Sequence, residues 1–108
     1  MTVKALAEIN GFSPVVLPDA EREIEGVYIC DLLSWVMGKA SSGDAWITIM
    51  SNVNVLAVAS LTDVSCVILA EGVVLEDDIV NTAMEKGINI ISSKCSIYEI
   101  AVELNKLI

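Results

Sequence analysis

The hydrophobic pattern is strongest in the middle of the chain, where no charged residue lies between Asp44 and Asp63. Two short runs there, 45–50 and 66–70, are rich in β-branched residues and almost continuously apolar, as strands of a parallel sheet covered on both faces must be. The segment between them, 53–61, is long enough for a crossover helix, which predicts a β-α-β unit. Threonine, serine and asparagine residues interrupt the stretch too often for a membrane span.

Weaker hydrophobic patterns on both sides extend this alternation of strands and helices. Further strands are predicted at Val15–Leu17, Val27–Cys30 and Ile88–Ile91, and further helices at Thr2–Asn10, Leu32–Ala40, Glu76–Lys86 and Ser96–Ile108. Short strands joined by connections of about two to six residues are typical of a doubly wound α/β layer sandwich. We therefore predict a single α/β domain over residues 1–108, with a mostly parallel sheet of about five strands.

Capping residues support the predicted helix starts. The candidates are Thr2, Asp31, Asn54 and Ser96, all of residue types favoured at N-caps. Ser96 and Glu99 have the spacing of a capping box. The acidic run 76–78 and Gly87 suit the two ends of one helix, because the helix dipole favours acids in the first turn and glycine adopts the left-handed C-cap. We interpret the acidic run as a helix start rather than as a metal site.

Composition and charge restrict the class of partner. The chain is 55% hydrophobic and carries 6 basic against 15 acidic residues, a net charge of −9. This charge repels nucleic-acid backbones and anionic membrane surfaces, so we predict neither partner. With no histidine and an odd number of cysteines, neither a zinc site nor a disulfide framework is expected. Cys30, Cys66 and Cys95 are interpreted as buried reduced thiols, and the N-terminal sequence predicts a cytoplasmic location.

Short polar residues follow the predicted strands, at the edge of the sheet where α/β proteins bind ligands. The predicted ligand-binding residues are Asp31, Ser34, Asn52, Asn54, Glu71 and Gly72. Ser92 and Ser93 follow the last strand and could line such a pocket as well. The backbone N–H groups after Asn54 would receive an anionic group of the ligand. Each of these residues also has a structural interpretation, as a cap, a turn residue or the end of an element.

No pattern of catalytic residues accompanies these positions. Without histidine, acid–base catalysis near neutral pH would need a perturbed Asp, Glu, Lys or Cys, and no pair of these has a characteristic spacing. Neither glycine-rich phosphate-binding fingerprint is present. A cysteine nucleophile would lack its usual imidazole base. We therefore predict that the chain is not an enzyme and that it has no cofactor and no metal site.

Three segments resemble the DRTGG domain family, namely VYICDLLSWVM, AWITIMSNVNVLAVASLTDVSCVILAEG and GINIISS. The resemblance extends from Glu23 to Ile108. It implies a Rossmann-like fold similar to the N-terminal domain of HPr kinase/phosphorylase, association into dimers, and a regulatory, non-catalytic role. Similar domains also occur between CBS domains in some regulated pyrophosphatases. At the loops where the family's name-giving residues would fall, this chain has Ser51-Asn52 and the run 70–72, of which Gly72 matches clearly.

Three hypotheses on function follow from these residues and this resemblance. The leading one is a homodimeric regulatory domain that senses a small metabolite, with an adenine nucleotide as one candidate, or that docks onto a partner enzyme. The alternative is a protein-interaction module without a ligand, with an apolar face for dimerisation and an acidic surface for a basic partner. A small enzyme is the third hypothesis.

Overall fold

Strands and helices alternate along the chain, as the hydrophobic pattern predicts. The computed structural model describes residues 1–108. The strands are β1 (Ser13–Val16), β2 (Gly26–Ile29), β3 (Asp44–Thr48), β4 (Cys66–Leu69) and β5 (Ile90–Ser92). The helices are α1 (Val3–Ala7), α2 (Leu33–Lys39), α3 (Asn54–Thr62), α4 (Asp77–Lys86) and α5 (Ile97–Leu107). Each predicted element is therefore present, with ends that differ from the prediction by a few residues.

The five strands form one sheet in the order β1-β5-β4-β3-β2. The pairs β2–β3, β3–β4 and β4–β5 are parallel, and β1 pairs with β5 in the antiparallel direction. The two strands of the predicted β-α-β unit, β3 and β4, lie inside the sheet and are covered by helices on both faces, which explains their mostly apolar sequences. The predicted mixed α/β domain with a mostly parallel five-stranded sheet is confirmed.

Helices cover the sheet on both faces and create two apolar layers. On one face Trp46 of β3 packs with residues of α2, α3 and α4, and on the other Ala45 and Ile47 pack with residues of α1 and α5. Adjacent residues of a strand point to opposite faces, so β3 and β4 contribute to both layers. Burial of each large side chain such as Ile47, which is fully inaccessible, contributes about 1.5–3 kcal/mol.

The connections between the parallel strands all use the same face of the sheet. α2, α3 and α4 follow β2, β3 and β4, and all three pack in the same apolar layer. Only α5, which follows β5, packs with α1 on the opposite face. The prediction of a doubly wound sandwich therefore holds for the two helix layers but not for the strand order, because the parallel strands are added in one direction only.

Two predicted helix caps are confirmed. The Thr2 hydroxyl accepts a hydrogen bond from the Ala5 N–H at 3.1 Å at the start of α1. Ser96 and Glu99 form the complete capping box, in which the Glu99 N–H donates to the Ser96 hydroxyl at 3.2 Å and the Ser96 N–H donates to the Glu99 carboxylate at 3.1 Å. Gly87 ends α4 with φ of 73°, in the left-handed region that glycine adopts without strain.

Two other predicted caps are wrong. The N-cap of α2 is Leu32, and the carboxylate of Asp31 contacts the neighbouring strand β3 instead. Asn54 is the first residue inside α3 rather than its cap. Asn52 takes over part of that role, because its side-chain oxygen accepts a hydrogen bond from the Asn54 N–H at 2.9 Å.

The three cysteines are free thiols, but their burial differs from the prediction. Cys66 in β4 is buried, whereas Cys30 and Cys95 lie in loops and are only half-buried. Burial raises the pKa of the Cys66 thiol to about 12, so this cysteine is a packing residue at neutral pH. No helix is both long enough and apolar enough to cross a membrane.

Candidate functional site

The predicted ligand-binding residues lie in the loops after β2, β3 and β4, at one edge of the sheet. The Asp31 carboxylate already accepts hydrogen bonds from the Thr48 hydroxyl at 2.8 Å and from the Ile49 N–H at 3.0 Å. Asn52 caps the start of α3 through the Asn54 N–H. Both side chains thus stabilise the conformation of the loops by hydrogen bonds within the chain.

All six predicted residues are exposed, and the side chains of the other four make no hydrogen bond. Ser34 lies in α2 and Asn54 begins α3. Glu71 and Gly72 form a turn with positive φ values of 60° and 74°. Their N–H groups donate at 2.9 Å to the backbone oxygens of Cys95 and Ser93, respectively. None of the six predicted residues lines a cavity of this structure, so a ligand at these positions stays a prediction.

A cleft of about 390 Å³ lies near the opposite end of the same edge, between β5 and the start of β1. One wall is the segment 8–13, which leads from α1 into β1, and the other is the segment 92–95 after β5. A smaller cavity of about 150 Å³ shares residues 10–12 and Cys95 with the cleft and is bounded by one face of α5. The cleft volume falls within the range of small-molecule sites, roughly 300–1,000 Å³.

The course of the chain explains why a cleft forms here. β1 runs antiparallel to β5, so its first residue, Ser13, lies beside the last residue of β5, Ser92. The segment 8–13 therefore enters the sheet at the same edge from which the loop after β5 leaves it, and these two segments form the walls of the cleft. No residue of the loop after β4 lines the cleft.

The loop after β5 is held in place by hydrogen bonds. The Ser93 N–H donates to the Leu69 oxygen at 2.9 Å, and the Ser93 hydroxyl accepts from the Cys95 N–H at 3.1 Å. The two bonds from Glu71 and Gly72 join this loop to the turn after β4. This wall of the cleft is therefore organised before any ligand binds, which lowers the entropic cost of binding.

Several polar side chains around the cleft have no partner within the chain. No hydrogen bond or ion pair engages the side chains of Glu8, Asn10, Ser13, Ser92 and Lys94. Ser13 and Ser92 are register partners of the β1–β5 pair, so their side chains lie next to each other on one face of the sheet. The cleft thus presents hydroxyl, amide, carboxylate and ammonium groups that are available to a ligand.

The electrostatics of the region are mostly negative. Lys94 is the one basic residue that lines the cleft, and Glu8 lies on the other wall. Glu99 and Glu103 line the adjoining smaller cavity, and the hydrogen bond from the Ser96 backbone lowers the pKa of Glu99. The groups present suit the binding and orientation of a small polar molecule, and we assign none of them a catalytic role.

Sequence reasoning identified one wall of this cleft and missed the other. Ser92 and Ser93 are recognisable as polar residues at the end of a strand. Residues 8–13 form the end of a helix and the turn at Asn10-Gly11, which carry no signal for a ligand. Their position beside β5 depends on the antiparallel pairing of β1, which the hydrophobic pattern does not specify.

No protein-family model and no curated protein matches this sequence. Among solved structures, the chain is similar to the CBS and DRTGG domains of the regulatory region of Clostridium perfringens pyrophosphatase, complexed with the activator diadenosine tetraphosphate. The TM-score is 0.65 at 14% sequence identity, and the match covers 83% of this chain and 40% of that chain. This chain therefore spans less than half of the neighbour's length and shares its fold in the matched part.

The similarity supports the fold expected from the DRTGG resemblance. The neighbour belongs to the regulatory region of an enzyme rather than to a catalytic domain. At 14% identity, fold alone does not transfer a function. Membership of the DRTGG family and the specific likeness to the N-terminal domain of HPr kinase/phosphorylase stay predictions.

Proposed function

We propose that this chain is a non-catalytic regulatory domain that binds a small-molecule effector in the cleft beside β5. The observation that carries the proposal is the cleft itself, which lies between the loop after β5 and the segment that leads into β1. Most of the polar side chains that line it have no internal partner, namely those of Glu8, Asn10, Ser13, Ser92 and Lys94. The shared fold with the regulatory region of a pyrophosphatase supports a regulatory rather than a catalytic role.

Adenine nucleotides are the first class of effector to test. The solved neighbour is complexed with a dinucleotide activator, and the resemblance to the DRTGG family suggests a metabolite sensor. The predicted residues Asp31, Ser34, Asn52, Asn54, Glu71 and Gly72 are the second candidate location for the effector. Alanine at Asn54 would weaken binding there, whereas a change at Lys94 would weaken binding in the cleft.

A thermal-shift screen tests the effector role directly. The panel contains adenine and guanine nucleotides, sugar phosphates, acetyl phosphate and amino acids. An effector at a hundred times its dissociation constant stabilises the folded state by about 2.7 kcal/mol, which moves the midpoint by roughly 4–8 °C for each kcal/mol in a domain of this size. No shift with any compound would remove the support for a sensor.

The proposal includes a homodimer, and the structure offers a surface for it at β2. This strand is the edge of the sheet, and the side chains of Val27 and Ile29 are 38% and 43% exposed. Trp35 of the adjacent α2 is 55% exposed. Exposed apolar edge strands are surfaces that natural proteins usually cover, so we expect the second copy to contact β2.

Measurement of mass in solution by light scattering tests the dimer. The unmodified chain is expected to have twice its monomer mass, and Ile29→Lys is expected to be a monomer because a charge would be buried in the interface. Val74→Lys is the matched control, since Val74 is 82% exposed in the connection after β4. A monomeric unmodified chain would contradict the dimer.

The exposed apolar side chains at β2 also favour the alternative function, a protein-interaction module without a ligand. In that case the acidic surface would bind a basic partner, and the contact would weaken steeply between low and physiological ionic strength. Effector binding in a pocket would change much less with salt. Turnover that disappears when Asp31 or Glu71 is neutralised would instead favour a small enzyme.

A further inference from the structure

The cleft beside β5 carries two opposite charges that do not neutralise each other. Glu8 follows the last residue of α1 on one wall, and Lys94 lies in the loop after β5 on the other. The three ion pairs of the structure include neither residue, and no hydrogen bond joins the two side chains. A ligand with a positive and a negative group would complement both walls at once.

Neutral polar groups line the same cleft. The side chains of Asn10, Ser13 and Ser92 line the cleft and have no partner within the chain. Phe12, which is buried, provides an apolar contact in the same cleft. A few convergent polar groups beside an apolar side chain are the usual composition of a small-molecule site.

Charge argues against a polyphosphate in this cleft. A triphosphate or dinucleotide usually needs several cations, a metal or a row of backbone N–H groups, and the cleft offers one lysine opposite Glu8. Glu99 and Glu103 line the adjoining cavity, and the whole chain has a net charge of −9. Repulsion from these carboxylates lowers the affinity for a ligand with several negative charges.

The size of the cleft also favours a ligand smaller than a dinucleotide. The cleft volume of about 390 Å³ lies near the lower end of the range for small-molecule sites, roughly 300–1,000 Å³. A molecule of the size of an amino acid fits such a volume more completely than a dinucleotide. The ligand class that matches both charge and size is therefore a small zwitterion.

We propose that the effector of this cleft is an amino acid or a related zwitterion, with its carboxylate bound by Lys94 and its ammonium group bound by Glu8. This inference rests on the proposed effector role and specifies its chemical class. The hydroxyl groups of Ser13 and Ser92 would hydrogen-bond polar atoms of the same ligand.

Isothermal titration calorimetry on the full chain tests the assignment. The probes are the twenty common L-amino acids, with AMP and ATP as the competing class. For each amino acid that binds, the corresponding amine without its carboxylate and the N-acetylated amino acid are titrated as well. We expect at least one amino acid to bind and both analogues to bind about tenfold more weakly or worse, because each lacks one charge-assisted hydrogen bond.

Charge-removing variants locate the site. Lys94→Gln and Glu8→Gln are each expected to weaken binding of that amino acid about tenfold. Lys4→Gln and Glu21→Gln are the matched controls, because both residues are exposed and neither lines the cleft. The controls are expected to bind as the unmodified chain does.

The outcomes separate this inference from the proposed function. Binding of AMP or ATP without binding of any amino acid would overturn the zwitterion class and leave the effector role intact. Binding of an amino acid that is unchanged in Lys94→Gln and Glu8→Gln would overturn the assignment to this cleft. Absence of binding by every probe would contradict both the inference and the proposed effector role.

Discussion

The two ends of the sheet's carboxyl edge use their polar side chains in different ways. In the loops after β2 and β3, Asp31 and Asn52 accept hydrogen bonds from Thr48, Ile49 and Asn54 of the same chain. Beside β5, the side chains of Ser92 and Lys94 line a cleft and bind nothing within the chain. Polar residues at the end of a strand can therefore stabilise the fold through internal hydrogen bonds. Where they make no such bond, they are available to a ligand.

The difference follows from what each loop lies beside. The loop after β2 lies beside the end of β3, so the Asp31 carboxylate accepts hydrogen bonds from Thr48 and Ile49. The loop after β5 lies beside the segment 8–13 that leads into the antiparallel β1, and the open volume is between these two segments. Variants at the two ends of the edge should accordingly change different properties, namely stability at the first and binding at the second.

Removal of the Asp31 carboxylate should have the largest effect on stability. Asp31→Ala deletes the acceptor for the buried Thr48 hydroxyl and for the Ile49 N–H. We expect a loss of about 2 kcal/mol in the free energy of unfolding, because two hydrogen bonds to a charged group disappear. Urea denaturation followed by circular dichroism measures this loss of stability. Glu85→Ala, on the exposed face of α4, is the control. An effect no larger than that of the control would contradict the assigned structural role of Asp31.

A smaller loss is expected at the start of α3. Asn52→Ala removes the side-chain acceptor for the Asn54 N–H, and loss of a cap of this kind costs about 1 kcal/mol. Asn81→Ala is the matched control, since Asn81 is exposed in α4 and makes no side-chain hydrogen bond. Thermal unfolding of both variants measures the difference. Weakened effector binding in Asn52→Ala at unchanged stability would instead place the ligand at this loop.

At the opposite edge of the sheet, where the parallel strands begin, charged side chains also stabilise the fold. Their contribution to stability should depend on pH. Hydrogen bonds from Arg22 and Ser42 hold the pKa of Asp63 below its usual value. Because the pKa of Asp63 is lower in the folded than in the unfolded state, its carboxylate stabilises the fold at pH values above the ordinary carboxyl range. This contribution is lost as the pH falls through the pKa of the folded state. We expect this contribution to the free energy of unfolding to decrease as the pH falls below the ordinary carboxyl range.

The variant Arg22→Gln should make that decrease shallower, since Asp63 would lose its first hydrogen-bond donor. At neutral pH the loss should be below about 1 kcal/mol, because the Asp63 side chain is largely exposed. Denaturation curves at several pH values give the slope directly. An identical slope in the variant and the unmodified chain would show that Asp63 does not contribute to the acid sensitivity.

The smallest effect on stability is expected in the cleft. Ser92→Ala and Lys94→Gln remove side chains that make no internal hydrogen bond or ion pair, so the free energy of unfolding should change by less than about 0.5 kcal/mol. Thermal unfolding without ligand checks this value. A loss of more than about 1 kcal/mol in either variant would mean that the side chain serves the fold, as Asp31 does.

Much of the fold could be predicted because its signals are local. The apolar runs in β3 and β4, the Ser96–Glu99 capping box and Gly87 each determine structure within a few neighbouring residues. The role of Asp31 could not be predicted in the same way. Its carboxylate reaches Thr48 on the adjacent strand, and a cap and a cross-strand acceptor have the same sequence signature.

The cleft could not be predicted from local sequence patterns, for a related physical reason. Ser13 and Ser92 become neighbours only through the pairing of β1 with β5, and Glu8 reaches the cleft through the turn that leads from α1 into β1. Hydrophobic periodicity predicts elements but not which edge of the sheet β1 will join. The site therefore depends on tertiary contacts between segments about eighty residues apart along the chain.

The most direct test of the account is to locate bound effector by nuclear magnetic resonance. Two-dimensional ¹H–¹⁵N spectra would be recorded during titration with the common L-amino acids and with AMP. The account predicts chemical-shift changes concentrated in residues 8–13 and 92–95, the two walls of the cleft. Changes concentrated instead around Asp31, Asn52 and Asn54, or no changes with any of these compounds, would contradict it.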